Sequence, residues 1–168
     1  MLQQTPVLHN GLVQMTMGAP APNFNGGLLR ARARYFDLDR KRPGLPLDVA
    51  ALVEKIEADR TVVHLVNTSA LEGRRLILQA SSFGEHQITE VKVRDDAAEK
   101  NMAVGSYGRP HQPNTPEFGQ GTSAEEAVPV DAKFFAVTLP PGTSITLDVG
   151  VRRFANKPGY AFPWHDQA

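Results

Sequence analysis

Cysteine is absent from the 168 residues, which excludes a disulfide framework, a thiolate nucleophile and any zinc site built on sulfur. Net charge is absent too. Eighteen Lys and Arg balance eighteen Asp and Glu, so no overall field draws nucleic acid or an anionic membrane, and neither is expected as a partner. Long apolar runs are missing, and the opening Met1-Leu2-Gln3-Gln4-Thr5-Pro6 has no basic stretch leading into an apolar one. The chain therefore reads as soluble, without a signal core or membrane insertion, and its compartment stays open. Aromatic residues are scarce at 7%, with a single Trp, so the places where they cluster carry information. What the chain does have is 14 Gly, 13 Pro and 41% hydrophobic residues. That is the composition of one turn-rich domain of short strands with enough apolar content for a core.

Residues 1–27 form an arm rich in Gly, Pro, Asn and Met, with Leu12, Val13, Met15, Met17 and Phe24 as its apolar contacts. From Leu28 the text alternates, Leu29, Ala31, Ala33 and Tyr35 on one side and Arg30, Arg32 and Arg34 on the other, which predicts a half-buried strand to Phe36. Val49, Leu52, Val53 and Ile56 fit a helical spacing, while Leu52, Glu54 and Ile56 also alternate. The β-branched run Thr61–Asn67 favours a hairpin 52–57/61–67, preceded by one helical turn at 47–51. Further strands are expected at Arg75–Ala80, Gln87–Arg94, Lys133–Leu139 and Ser144–Arg152. The last two are joined by Pro140-Pro141-Gly142, whose Pro-Gly pair suits the centre of a type II turn. Residues 95–131 read as one long loop, and 153–168 as an aromatic tail on a domain spanning 28–168. The predicted fold is an all-β antiparallel sandwich of about seven or eight strands, with at most one short helix.

Three groups of residues invite a chemical reading. His64 with Glu85 and His86 offers two imidazoles and a carboxylate, the donor types of a metal site or an acid–base pair, against hydrogen-bonded structural roles for the same side chains. Arg30, Arg32 and Arg34 share a strand face that can meet Arg40, Lys41, Arg42, Arg74 and Arg75 in a cationic surface for carboxylate, phosphate or acidic sugar, against the favoured reading of a solvated face neutralised by Asp37, Asp39, Glu54 and Glu57. Tyr107, Tyr160 and Trp164 are candidates for stacking on sugar rings, and Phe162 and Trp164 for plugging a partner's groove or folding back on their own sandwich. Gly105-Ser106-Tyr107-Gly108 lacks the strand-to-helix context of a phosphate loop, and no serine sits in a nucleophile elbow. No catalytic residue and no cofactor is assigned.

The stretches Val62-Val63-His64-Leu65-Val66-Asn67-Thr68-Ser69, Arg75–Ala80 and Val137-Thr138-Leu139-Pro140-Pro141-Gly142-Thr143 resemble the C-terminal β-sandwich accessory modules of multidomain carbohydrate-active enzymes. Those modules carry a similar strand end and closing hairpin. The resemblance spans roughly 52–152, residues 11–29 are similar to the end of a preceding helical module, and the 95–131 excursion departs from the pattern. Such modules are normally non-catalytic, so the resemblance implies a binding or assembly role and transfers no active-site residues. The arm, long loop and tail bury little apolar area by themselves. Another protein chain or a second copy is the expected partner, with carbohydrate as the alternative.

Overall fold

A computed structural model describes residues 10–20, 30–94, 103–106 and 127–165. Within them lie one helix, α1 (Asn10–Met17), and ten strands: β1 (Ala33–Asp37), β2 (Arg42–Pro43), β3 (Val49–Ile56), β4 (Arg60–Asn67), β5 (Arg74–Ala80), β6 (Gln87–Arg94), β7 (Ala103–Ser106), β8 (Ala127–Ala132), β9 (Phe134–Leu139) and β10 (Ser144–Arg152). They form two five-stranded sheets, ordered β2-β1-β5-β9-β7 and β3-β4-β10-β6-β8, with every pairing antiparallel. This is the all-β sandwich that the alternation predicts, with ten strands among the described residues where seven or eight were expected.

Period-two patterning places the core. Val63 and Leu65 of β4 and Ile145, Leu147 and Val149 of β10 point between the sheets, where they meet Leu76 and Leu78 of β5. Strand β9, FFAVTL, does not alternate, and all six of its residues are buried. Phe135, Val137 and Leu139 join the central core, while Phe134 and Ala136 face the opposite way into a second cluster with Phe36 and Ile77. The C-terminal tail covers that cluster. Phe162 and Trp164 stack on each other at 5.3 Å and meet the Phe36 ring edge-on at 6.2 and 5.9 Å. Burying a Phe completely contributes roughly 2–3 kcal/mol, which gives the second layer real weight.

Three local expectations need correction. The helical turn at 47–51 is absent: Asp48 takes a left-handed φ of 63°, and Val49 already pairs with Asn67, so the strand begins there. A register shift between Val53 and Lys55 changes the phase of β3, which explains why both a helical and an alternating period fitted its sequence. The excursion 95–131 is not wholly loop, because β7 pairs with β9 and β8 pairs with β6 inside or overlapping it. Pro129 disguised β8 as a loop. The strand lies at the edge of its sheet, where a missing backbone donor is tolerated. At the closing hairpin the reading holds, with Gly142 at φ 64° as a type II turn requires.

Candidate functional site

The crossing from β5 in one sheet to β6 in the other is made by Ser81–His86, and this bend gathers most of the polar residues that the sequence singled out. Ser81 has a left-handed φ of 75°, and its N–H donates to the carbonyl of Arg32 at 2.9 Å. The Glu85 carboxylate turns back on its own loop, accepting from Ser81 Oγ at 2.5 Å and from the Phe83 N–H at 3.0 Å. Gln79 donates to the Ser81 carbonyl, and Arg34 to that of Ser82. Opposite stands the segment after β10. Phe154, at φ 53°, donates its N–H to Nδ1 of His86 at 3.2 Å and sets its ring edge-on to the imidazole at 4.8 Å. Asn156 bonds the carbonyls of both Glu85 and His86. Ser81 and Phe154 both take left-handed conformations here, held by the surrounding bonds.

His86 is 6% exposed, and burial lowers its pKa below the ordinary 6.5; Glu85 opposes the shift, while Arg32 and Arg153 add to it. The accepted bond at Nδ1 says the same, since it requires a lone pair there and so the neutral ring with its proton on Nε2. Glu85 and His86 are thus joined in one hydrogen-bonded unit without His64. His64 lies on the outer face of the other sheet, its Nδ1 2.9 Å from Thr146 Oγ1 and its Nε2 3.0 Å from Ser144 Oγ. Thr146 pairs with His64, whereas Arg152 pairs with Gln87 beside His86. Six residues of β10 separate those pairings, about 20 Å of strand. The metal grouping His64, Glu85, His86 is therefore not assembled, and among the described residues no three His, Asp or Glu side chains come together to hold an ion.

The strand expected from Leu28 begins at Ala33, so of the three arginines of the row Arg34 lies on β1 and Arg30 and Arg32 precede it. Asp37 pairs with Arg42 at 3.2 Å and Asp39 with Arg75 at 2.5 Å, which neutralises that part of the cationic surface as expected, while Glu57 pairs with Lys55 at 2.5 Å and Glu54 forms no ion pair among the described residues. Arg34 lies over the Phe36 ring at 4.9 Å. Burial lowers the pKa of Arg32, and the neighbouring Arg153 lowers it further. Among the described residues no carboxylate forms an ion pair with Arg30 or Arg32. Both line a cleft of about 340 Å³ between α1, β3 and the approach to β1.

Gly18 builds one wall of that cleft. It ends α1 at φ 61°, its N–H bonding the Gln14 carbonyl, and a Cβ there would lie 2.8 Å from Val53 Cγ1 and 3.2 Å from Arg32 Cβ. The arm is fastened at the same place. Met17 accepts from the Arg32 N–H at 2.8 Å, and Thr16 accepts from the hydroxyl of buried Tyr35 at 2.7 Å. Leu12 and Met15 nonetheless stand 59% and 53% exposed, with Val13 and Met17 half-buried.

Of the aromatic candidates, Tyr160 is 82% exposed and meets Phe83 edge-on at 5.2 Å. Trp164 and Phe162 pack on their own sheet, the alternative weighed for the tail, so Tyr160 and Trp164 share no exposed platform. Tyr107 and Phe24 lie outside the described residues. Sequence reasoning missed Arg153, Phe154 and Asn156, which no motif marks; the Arg152-Arg153 pair directly after a strand was the available signal. It also missed the job of the segments that carry the family resemblance. Asn67, 1% exposed, donates from Nδ2 to the carbonyls of Glu72, Leu139 and Pro140 and accepts the Ser69 N–H, so it clamps the one segment to the other. The chain matches no protein-family model, no curated protein and no solved structure.

Proposed function

We propose that the chain is a non-catalytic β-sandwich module that works through protein–protein contacts, in the manner of the accessory modules of carbohydrate-active enzymes that it resembles, with α1 as a contact element. The observation that carries this reading is the exposure of Leu12 and Met15 on a helix that is fixed, not loose. Its C-terminal end is tied to β1 through Thr16 and Met17 and packed on β3 through Gly18, so the apolar side chains cannot turn inward. Strand β3, against which α1 packs, adds Leu52 at 40% and Ile56 at 45% exposure. Apolar side chains held out on neighbouring elements mark a surface that gains by being covered.

The test is native mass spectrometry of the protein from its own source, followed by a Leu12→Glu, Met15→Glu double variant. The expected result is an assembly, with a second copy or a co-purifying chain, that the double variant loses while its urea midpoint is unchanged. A wild type that stays monomeric up to high concentration, or a double variant that assembles as well as wild type, would overturn the reading.

A further inference from the structure

We infer that the cleft between α1, β3 and the approach to β1 is a binding site for a small organic carboxylate, its charge taken by Arg32 and Arg30 and its apolar body lying on Val53 and Ile56. Three independent features point there. The cleft, at about 340 Å³, falls within the roughly 300–1,000 Å³ range of small-molecule sites. Its two arginines have no carboxylate partner among the described residues: Asp37, Asp39 and Glu57 are committed to Arg42, Arg75 and Lys55, and Glu54 of β3 pairs with neither arginine. Arg32, half-buried, also feels Arg153 as a like charge. An anion entering the cleft relieves that repulsion and supplies the acceptor that the described residues do not.

Apart from Gln14 of α1, the remaining walls carry no polar side chain. Ala19 is buried, and Val53 and Ile56 present the side-chain carbons that Gly18 approaches, so a ligand that is only charge leaves this surface wet. An aliphatic carboxylate uses both halves. The inference stands on charge and cavity: Leu12 and Met15 are not among the cleft residues, and Ile56 is the one residue shared with the exposed apolar surface of the proposed contact.

The experiment is a titration of the full chain, followed by amide NMR shifts, with octanoate, with octanamide as its neutral counterpart, and with inorganic phosphate. Octanoate is expected to saturate shifts at Arg32 and Val53 and to bind roughly tenfold more weakly to Arg32→Gln, with a smaller loss in the exposed Arg30→Gln. Arg75→Gln, whose guanidinium is paired with Asp39, should bind as wild type. The inference is overturned if octanamide binds as well as octanoate, if Arg32→Gln and Arg30→Gln both leave affinity unchanged, or if phosphate matches octanoate and so shows that the apolar half adds nothing.

Discussion

At the scale of single residues the fold is braced by polar side chains that no periodicity announces. Asn67 is one. Replacing it with Ala leaves the carbonyls of Leu139, Pro140 and Glu72 without their donor at a site that is almost wholly buried, and we expect a loss of about 2–4 kcal/mol in urea unfolding with an unchanged m-value. A loss below about 1 kcal/mol would mean that the hairpin closes without this clamp. His86 is another. Its pKa in the folded chain lies below the ordinary 6.5, so the unfolded chain binds the proton more readily. The stabilisation is therefore complete above pH 6.5 and is lost as the pH falls from there through the folded value. Wild type should lose more stability than His86→Gln between about pH 8 and about pH 5. Equal losses in the two proteins would assign the acid sensitivity elsewhere. Arg60 shows the same principle on the outer face of its sheet, where hydrogen bonds from its guanidinium to Asp148 and Glu90 raise its pKa.

At the scale of elements, α1 illustrates how a short, weakly amphipathic segment becomes fixed. Eight residues with none buried do not hold a helix by themselves in water. The helix persists because its end is anchored: Gly18 reverses the backbone within van der Waals contact of Val53 and Ile56, and Tyr35 donates to Thr16. Gly18→Ala adds a left-handed φ penalty to a 2.8 Å clash with Val53. The expected cost is about 1–3 kcal/mol, together with faster hydrogen exchange at the Arg32 amide, which bonds Met17. An Arg32 amide that exchanges as slowly as in wild type would show that the arm docks without this turn. Among the strands, β4, β6 and β10 were legible because their β-branched and apolar residues repeat at the strand period, and β5 and β9 as short apolar runs bounded by turn residues. β8 was not, since Pro129 argues against a strand unless the chain is known to lie at a sheet edge.

At the scale of the whole molecule, two apolar layers divide the work. The central core lies between the sheets, and the second lies outside one of them, beneath Phe162 and Trp164. That second layer explains why β9 reads as a continuous apolar run and why the aromatic tail need not be an interface. The sequence by itself determined the fold class, since alternation and turn chemistry are local and period two leaves a sandwich as the way to bury one face of each strand. Only the tertiary structure decided which charges meet. His64 and His86 are 22 positions apart in the chain, yet pairing along β10 puts them at different ends of a strand. Arg32 and Arg153, more than a hundred positions apart, come close enough to feel each other's charge. Side-chain direction follows from local backbone geometry, whereas encounters between distant side chains follow from register and topology, which no window of sequence contains.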